Sequence, residues 1–342
     1  MNLLIFLFFY IFMLSSLSLK GSKSKNEDSI LTLEENGTFT LTVSDGHGHN
    51  GEGAKCSYFC VEKSKEFSHW LMSQSYQEWD ELKWNQVMQT HYKEVHDEYR
   101  LECACVIDTI SGKAMVRFID NGVVRKYDGS AVHSGATYSR TFTFPLGDKY
   151  RTIMSHVGDS DIYINEKQVS EDQSPLNEYT YQRVQSIPES DRMIMIYDKK
   201  KIEKINCPRV FLQSGMKDHS YEEPPQKNKL ILCNVRNEPS CYFISPLYHK
   251  DHMCLAMSSA IGDYYGNVMG ITYIPIVKMI DTDVIPHIVI GSDGLWNTMN
   301  EKQEWEGVTN DFKKLVDVLP QIRNIYENKF KNIDDISVVM LS

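Results

Sequence analysis

The sequence lacks the patterns that mark several common classes of protein. Its 342 residues contain no internal repeat, no low-complexity tract and no CxxC pair. Acidic residues outnumber basic ones by 46 to 36, which gives a formal net charge of −10 and no basic footprint of the kind that nucleic-acid-binding proteins use. We therefore expect no nucleic-acid partner, although metal ions could supply the positive charge needed to bind an isolated phosphate group.

The cysteines indicate neither structural zinc nor a disulfide scaffold. There are eight of them, and none has the partner spacing of a zinc finger. An even count would permit disulfides in a secreted protein, but a chain of this length can bury a hydrophobic core without them. We expect most of the thiols to be free and buried.

Long apolar runs are scarce as well. The run from Leu3 to Leu14 is shorter than the roughly 20 residues that a membrane-spanning helix needs. It fits the apolar region of a signal peptide, although the usual basic residues before it are missing, and it equally fits a tail or strand packed on a sheet. We expect a cytoplasmic monomer and leave open a secretory or membrane-associated protein, with membrane contact only if residues 1–16 are retained as an anchor.

The most informative stretch is Phe39 to His49, FTLTVSDGHGH. Apolar and polar residues alternate along it with the period of a β-strand that has one buried face, and Asp45 continues the buried parity where Gly46 breaks the strand. Glycine lets the backbone bend and expose its carbonyl group, and His47 can transfer a proton near neutral pH. This combination suits a site for a hard metal ion with an adjacent acid.

Two further aspartates have the same context as Asp45. Asp293 follows an apolar strand at a turn, and Asp334 stands just before the last apolar strand. Any one of them resembles an ordinary turn aspartate, but three such strand ends can meet only at a common edge. The other acidic residues of this kind are Asp159, Glu27 and Asp28. A cluster of these carboxylates would repel itself strongly unless divalent cations neutralised it.

Oxygen ligands of this kind favour Mg²⁺ or Mn²⁺ over zinc, which prefers histidine and cysteine. Two such ions could lower the pKa of a water bound between them and hold a phosphoryl oxygen while that water attacks. His47 would then protonate the leaving alkoxide of a serine or threonine. The pattern therefore favours hydrolysis of a phosphate ester without a covalent enzyme intermediate.

The periodicity of the chain indicates an α+β fold. The segments from Gly53 to Leu71 and from Trp84 to Tyr99 carry apolar residues at helical spacing, which predicts an antiparallel helix pair covering a sheet. Helical spacing returns between Phe312 and Tyr326, and much of the remainder reads as strands that do not alternate strictly with helices. The expected organisation is an apolar segment at 1–16 and one domain at 17–342, with insertions near 106–130 and 185–250.

Eight short motifs occur in the order found in the type 2C metal-dependent serine/threonine protein phosphatases. They are NEDS (26–29), VSDGHGH (43–49), SGAT (134–137), VGDS (157–160), SEDQSPLNEYTYQRV (170–184), SSAIGD (258–263), IGSDGLWN (290–297) and DDISVV (334–339). Each motif is modest alone. Together, in register, they resemble this family across about residues 17 to 341.

The resemblance implies a four-layer α-β-β-α sandwich of two antiparallel sheets flanked by antiparallel helix pairs, with a dinuclear metal site at one sheet edge. By matching position, Asp45 would bridge two Mg²⁺ or Mn²⁺ ions and the Gly46 carbonyl would bind one of them. Asp293 and Asp334 would complete the site of the other ion. Asp159 matches a residue linked to a third, weaker ion.

The resemblance also implies roles for residues around these ligands. Glu27 and Asp28 would hold metal-bound waters. Lys23 stands where the family usually has an arginine that binds the substrate phosphate, so the charge is kept but the bidentate fork is lost. Asp263 ends another apolar segment, and it could contact the site through water or serve as a structural cap.

Three more positions depart from the family pattern. Asp335 replaces an asparagine, Asn297 replaces an aspartate and Ser259 replaces an arginine. Because no presumed metal ligand is lost, the resemblance implies an enzyme that hydrolyses phosphoserine or phosphothreonine in phosphoprotein substrates. Lys23, Ser259 and Asp335 leave open a second class, namely a catalytically weak or inactive pseudophosphatase that binds phosphoproteins as a regulatory module.

Overall fold

The computed structural model of the chain describes residues 14–49, 51–110, 112–171, 173, 180, 183, 186–188, 194–197, 241–244, 254–267, 269–300, 317 and 334–342. The helical segments predicted between Phe312 and Tyr326 lie outside the described residues, apart from residue 317. Most of the insertion predicted near 185–250 also lies outside them.

Most of the described strands belong to two antiparallel sheets. The first sheet has the order β1–β19–β18–β11–β12 and contains β1 (Leu14–Leu19), β11 (Asp161–Ile164), β12 (Lys167–Gln168), β18 (Ile288–Gly291) and β19 (Ile336–Leu341). The second sheet has the order β16–β8–β3–β9–β10–β17, with β2 paired to β3. It contains β2 (Asp28–Glu35), β3 (Thr38–Gly48), β8 (Ser134–Ala136), β9 (Tyr138–Leu146), β10 (Lys149–Val157), β16 (Ile261–Gly262) and β17 (Ile276–Thr282).

A tight hairpin sets the register of the central strand β3. β2 and β3 are joined by Asn36 and Gly37, whose φ angles of 52° and 73° suit a two-residue hairpin turn. On the face that Phe39, Leu41 and Val43 share, β3 packs against the first sheet in one apolar cluster. Each such side chain contributes roughly 1.5–3 kcal/mol when fully buried, so this face fixes the register of β3 against the first sheet.

Helices cover the outer faces of both sheets. They are α1 (Glu52–Met72), α2 (Glu81–Ala104), α3 (Tyr264–Asn267) and α4 (Asp293–Asn300), with a 3₁₀-helix at Tyr76–Glu78. α2 begins at the N-cap Asp80, whose carboxylate accepts the backbone N–H of Lys83 at 2.8 Å. α2 packs Trp84 and Met88 onto Phe142 of the second sheet.

The second face of β3 is polar and buried, because α1 covers it with hydroxyl groups. The Thr42 Oγ1 and Ser64 Oγ atoms lie 2.7 Å apart, and the Thr40 hydroxyl donates to Ser68 Oγ at 3.1 Å. The prediction of a strand with one buried face is therefore wrong. Thr40 and Thr42 are 1% and 0% exposed, and serines on α1 satisfy their hydrogen bonds.

α4 lies on the outer face of the first sheet, where Leu295 and Trp296 pack against Val338 and Met340. The layers thus run from the helix pair through the second and first sheets to α4. The predicted α+β fold of stacked antiparallel sheets with helices outside is confirmed. The helix predicted to accompany α4 is in the part of the chain that the structure does not describe.

Smaller elements lie around this sandwich. Within the insertion predicted near 106–130, two hairpins are formed by β4 (Ile107–Ile110) with β5 (Lys113–Val116) and by β6 (Phe118–Asp120) with β7 (Val123–Arg125). A further small sheet contains β13 (Ile194–Tyr197), β14 (Cys241–Ile244) and β15 (Cys254–Leu255).

The first described strand crosses a predicted boundary. β1 pairs with β19, with Leu14 opposite Leu341, so the apolar segment assigned to residues 1–16 joins the first sheet from Leu14 onward. Among the described helices, none combines the length and apolar character required to cross a membrane.

Candidate active site

Three aspartates from separate parts of the chain lie at one end of the sheet pair. Asp45 is near the end of β3, Asp293 begins α4 directly after β18, and Asp334 precedes β19. β18 and β19 are antiparallel, with Gly291 opposite Val338, so the end of one and the start of the other share an edge. The charges of Asp293 and Asp334 both act on Asp45, which is 8% exposed.

Asp28 adds a fourth carboxylate in direct register with Asp45. Like charges opposite each other in an antiparallel ladder destabilise a sheet. Both carboxylate oxygens of Asp28 are buried without a well-aligned hydrogen bond, although the side chains of Asp45 and Ser337 lie close enough to lower its pKa. Burial, with the charges of Asp335 and Asp334, raises the pKa of Asp28 to about 7. Burial and the charges of Asp28, Asp293 and Asp334 raise the pKa of Asp45 well above its usual value.

Lys23 brings a positive charge into this cluster. Its Nζ lies 2.8 Å from Glu27 Oε2, 3.1 Å from Asp334 Oδ1 and 4.0 Å from Asp335 Oδ2. Burial alone would lower the pKa of Lys23, but the charges of Asp334, Asp45 and Glu27 outweigh it and raise that pKa. Lys23 was predicted to bind substrate phosphate, and in the structure its ammonium group bridges acidic side chains.

Asp335 holds the loop that carries Lys23 and Glu27. Its carboxylate is fully buried, and its two oxygens accept the backbone N–H groups of Gly21 at 2.5 Å and Glu27 at 2.8 Å. The Asp335 N–H in turn donates to Asp334 Oδ1 at 3.0 Å. Both oxygens of Asp335 are therefore engaged in positioning its neighbours.

Thr137 fixes the position of Asp45 from the other side of β3. The backbone N–H of Asp45 donates to Thr137 Oγ1, and the backbone N–H of Thr137 donates to the Asp45 carbonyl, both at 2.9 Å. Thr137 Oγ1 lies 2.7 Å from Ser160 Oγ, which ties the loop containing Asp159 to the same strand end. Asp159 thus belongs to this end of the molecule, in the loop between β10 and β11.

His47, two residues after Asp45, forms a pair with a buried carboxylate. His47 Nε2 lies 2.5 Å from Asp263 Oδ2, and Asp263 is 1% exposed. The two residues are brought together because Gly135 of β8 pairs with His47 of β3 on one side and with Gly262 of β16 on the other. A Cβ atom at Gly135 would lie 2.4 Å from both His47 Nε2 and Asp263 Oδ2, so only glycine leaves room for this pair.

Gly46 allows β3 to approach the first turn of α1. A Cβ atom on Gly46 would lie 2.3 Å from the Gly53 carbonyl oxygen and 2.5 Å from the Glu27 carbonyl oxygen. The Gly46 N–H donates to that same Glu27 carbonyl at 3.1 Å. Glycine at 46 is therefore required by packing.

The acidic residues fit a hard divalent cation by their chemistry. Mg²⁺ and Mn²⁺ bind carboxylate oxygens, and here the buried carboxylates of Asp28 and Asp45 lie opposite each other in the sheet. Within the described part of the chain, no three His, Cys, Asp or Glu side chains already converge as a preformed metal site. The carboxylates are thus neighbours whose oxygens are not drawn together around one point.

Several residues at this site had no role assigned from the sequence. Gly135 and Thr137 belong to the SGAT motif, and this motif could have indicated their importance from the sequence. Arg117 had no such signal: it lies in the loop between β5 and β6, and its guanidinium binds both carboxylate oxygens of Glu52 at 2.9 and 3.0 Å, next to the His47 loop. Asn297 was also predicted to lie near the ligands, and the structure describes only its backbone, in α4.

Comparison with known proteins supports the fold. No protein-family model matches the sequence, and no curated protein matches it. A serine-threonine phosphatase 2C from Toxoplasma gondii is 14% identical with a TM-score of 0.56, covering 96% of this chain and 94% of that one. The S. agalactiae serine/threonine phosphatase is 15% identical with a TM-score of 0.50, covering 96% and 98%.

A C. elegans sex determining protein also matches, at 16% identity with a TM-score of 0.53. The match covers 96% of this chain and spans 64% of that protein. The chain therefore has the fold of the type 2C serine/threonine phosphatases, as its motifs predicted. Because one fold can serve many functions, activity has to be argued from the site.

Proposed function

We propose that this protein hydrolyses phosphate monoesters of serine and threonine in proteins, in a reaction that depends on Mg²⁺ or Mn²⁺. One observation carries the proposal: a single strand, β3, presents a buried aspartate of an acidic cluster and, two residues later, a histidine paired with a buried carboxylate. The first group suits cation binding and the second suits proton transfer. Metal-assisted hydrolysis of a phosphate ester uses both.

The residues that would hold two ions are Asp45, the Gly46 carbonyl, Asp293 and Asp334, with Glu27 and Asp28 around them and Asp159 as a candidate for a weaker third ion. When bound, the ions would supply positive charge to the phosphoryl oxygens and lower the pKa of the attacking water. The carboxylates around Asp45 support this assignment, because the charges of Asp28, Asp293 and Asp334 raise the pKa of buried Asp45 and a cation would relieve that repulsion.

His47 and Asp263 would provide the proton for the leaving group. With Asp263 Oδ2 at 2.5 Å from Nε2, the carboxylate fixes the orientation of the imidazole ring. His47 Nδ1 is buried and has no hydrogen-bond partner among the described residues. It would donate to the alkoxide of serine or threonine once the substrate or a small shift of the ring brings the two into contact. Lys23 would attract the substrate phosphate as a point charge.

A second candidate, a phosphoprotein-binding module with little turnover, is favoured by the contacts of Lys23. An ammonium group engaged by Glu27 and Asp334 is less available to a substrate phosphate. Ser259, the serine at the position of a family arginine, is buried and accepts the Gly158 N–H at 2.8 Å, so its hydroxyl serves the structure. Turnover distinguishes the two candidates.

The test is phosphate release from a phosphoserine or phosphothreonine peptide by the purified chain with Mn²⁺. We expect Mn²⁺-dependent release that Asp293→Ala abolishes. The matched control is Asp283→Ala, because the Asp283 side chain is 91% exposed and its carboxylate lies 3.7 Å from Lys149 Nζ, in a loose surface ion pair. Equal activity of Asp293→Ala and the unmodified chain would exclude the mechanism, and phosphopeptide binding without release would favour the binding module.

A further inference from the structure

The Lys23 side chain is held in place by the backbone on both sides of it. Asp335 accepts the N–H of Gly21 through one oxygen and that of Glu27 through the other, at 2.5 and 2.8 Å. These two bonds fix the ends of a short loop with Lys23 near its middle. The loop therefore delivers the ammonium group to the acidic cluster, and the side chain remains only 30% exposed there.

The contacts of Lys23 are with the carboxylates that surround the proposed cation site. Its Nζ lies 2.8 Å from Glu27 Oε2 and 3.1 Å from Asp334 Oδ1, and its charge also acts on Asp45. Asp334 is a proposed ligand, and Glu27 lies beside the ligands. A cation at this place offsets part of the repulsion among the buried carboxylates, since opposite charges at these distances attract strongly in a partly buried site.

The same charge opposes a second cation. A divalent ion that enters the cluster must either displace the ammonium group from Asp334 or bind beside a like charge. A charge of +2 about 5 Å from a charge of +1 is repelled enough, even with the dielectric constant of water, to weaken binding about tenfold.

We propose that Lys23 is a built-in counter-cation, which stabilises the acidic cluster in the metal-free protein and sets a low affinity for divalent cations. The inference rests on the proposed function, because it concerns the cations that this function requires. It assigns Lys23 a role in addition to any contact with the substrate phosphate. Metal binding then exchanges one cation for another at Asp334 and frees the ammonium group for a phosphate.

The experiment compares four chelator-treated full-length proteins: the unmodified chain, Lys23→Met, Lys23→Arg and Lys25→Met. Lys25 is the matched control, because it is exposed and two residues away on the same loop. We measure the unfolding temperature without metal, and Mn²⁺ affinity by calorimetry. We expect Lys23→Met to unfold at a lower temperature and to bind Mn²⁺ at least about tenfold more tightly. Lys23→Arg and Lys25→Met should stay within about twofold of the unmodified chain.

Equal or weaker Mn²⁺ binding by Lys23→Met would overturn the inference and leave the proposed function intact. Absence of Mn²⁺ binding in all four proteins would contradict the proposed function and the inference together. If Lys23→Met does not fold, Lys23→Gln replaces it, because glutamine keeps a donor for Glu27 and removes the charge. The same tenfold gain in affinity is expected of that variant.

Discussion

The two halves of the candidate site, the His47–Asp263 pair and the carboxylates around Asp45, differ in the charges that they bring together. In the histidine half, Asp263 contacts His47 directly and Gly135 leaves the space for both, although His47 Nδ1 and Asp263 Oδ1 are buried without a hydrogen-bond partner among the described residues. In the acidic half, Asp28 and Asp45 face each other in the ladder, and burial raises the pKa of both. A folded protein keeps such repulsion only where something else offsets it.

The difference indicates which half needs a ligand. The His47–Asp263 pair joins an imidazole to a carboxylate and is brought together by the pairing of β8 with β3 and β16. The carboxylates around Asp45 gain from a cation, and Lys23 offsets only part of their charge. Substitutions in the His47–Asp263 pair should therefore leave Mn²⁺ binding unchanged, and substitutions among the carboxylates should leave the His47–Asp263 contact in place.

Neutralising Asp45 should have the largest effect. Asp45→Asn keeps the size of the side chain and removes a central charge, so we expect kcat/KM for a phosphopeptide to fall about 10³-fold. Without metal, the same variant should unfold at a higher temperature, because a buried like-charge contact with Asp28 is lost. Activity assays and thermal melts in chelator check the two parts. A lower unfolding temperature would contradict the repulsion on which the comparison depends.

Removing the proton donor should have the next largest effect. We expect His47→Gln to lower kcat about 10²-fold because the proton donor is lost. Mn²⁺ affinity should be unchanged, because His47 pairs with Asp263 and is not one of the proposed ligands. His49→Gln is the control, since His49 is exposed and its ring lies 4.9 Å from that of His133. A loss of Mn²⁺ binding in His47→Gln would show that the two halves are not separate.

A smaller change should separate the histidine from its carboxylate. In Gly135→Ala the new methyl group would lie 2.4 Å from both partner atoms, so His47 and Asp263 must move apart. We expect about a tenfold fall in kcat and a shift of its pH profile, with Mn²⁺ affinity unchanged. Stopped assays across pH 5 to 9 measure this. An unchanged profile would mean that the pair has no part in proton transfer.

The last prediction concerns stability rather than catalysis and tests the acidic half alone. The pKa of Asp28 is raised to about 7 from an ordinary value of 3.8, so the folded protein holds this proton more tightly than the unfolded chain. The protonated side chain therefore adds to the unfolding free energy fully below pH 3.8, and this contribution is lost as the pH rises through 7. The asparagine of Asp28→Asn does not titrate, so the variant does not lose stability in this way as the pH rises. In chelator, the variant should therefore gain about 2 kcal/mol in unfolding free energy relative to the unmodified chain between pH 5 and pH 8. Urea titrations at both pH values measure this, and a difference that does not change with pH would contradict the raised pKa.

Local patterns in the sequence predicted the parts of the fold that depend on local structure. The strand around Leu41 and the two helices after Gly53 follow from periodicity. Burial of the polar face of β3 could not be predicted this way, because it depends on the serines of α1 meeting Thr40 and Thr42.

The candidate site could be predicted only as far as individual strand ends. That Asp263 contacts His47 directly, rather than through water or as a cap, depends on β16 pairing with β8, far away in sequence. Arg117 gave no signal, because its partner Glu52 is 65 residues distant. Such long-range contacts depend on tertiary structure, which periodicity and turn residues do not reveal.

The most direct test of the central claim is anomalous diffraction from crystals of the full chain grown with Mn²⁺. If the carboxylates are neighbours because they share cations, anomalous peaks should lie at bonding distance, about 2.2 Å, from oxygens of Asp45 and of Asp293 or Asp334. Peaks elsewhere, or Mn²⁺-saturated crystals in which these three aspartates carry no peak, would contradict the account.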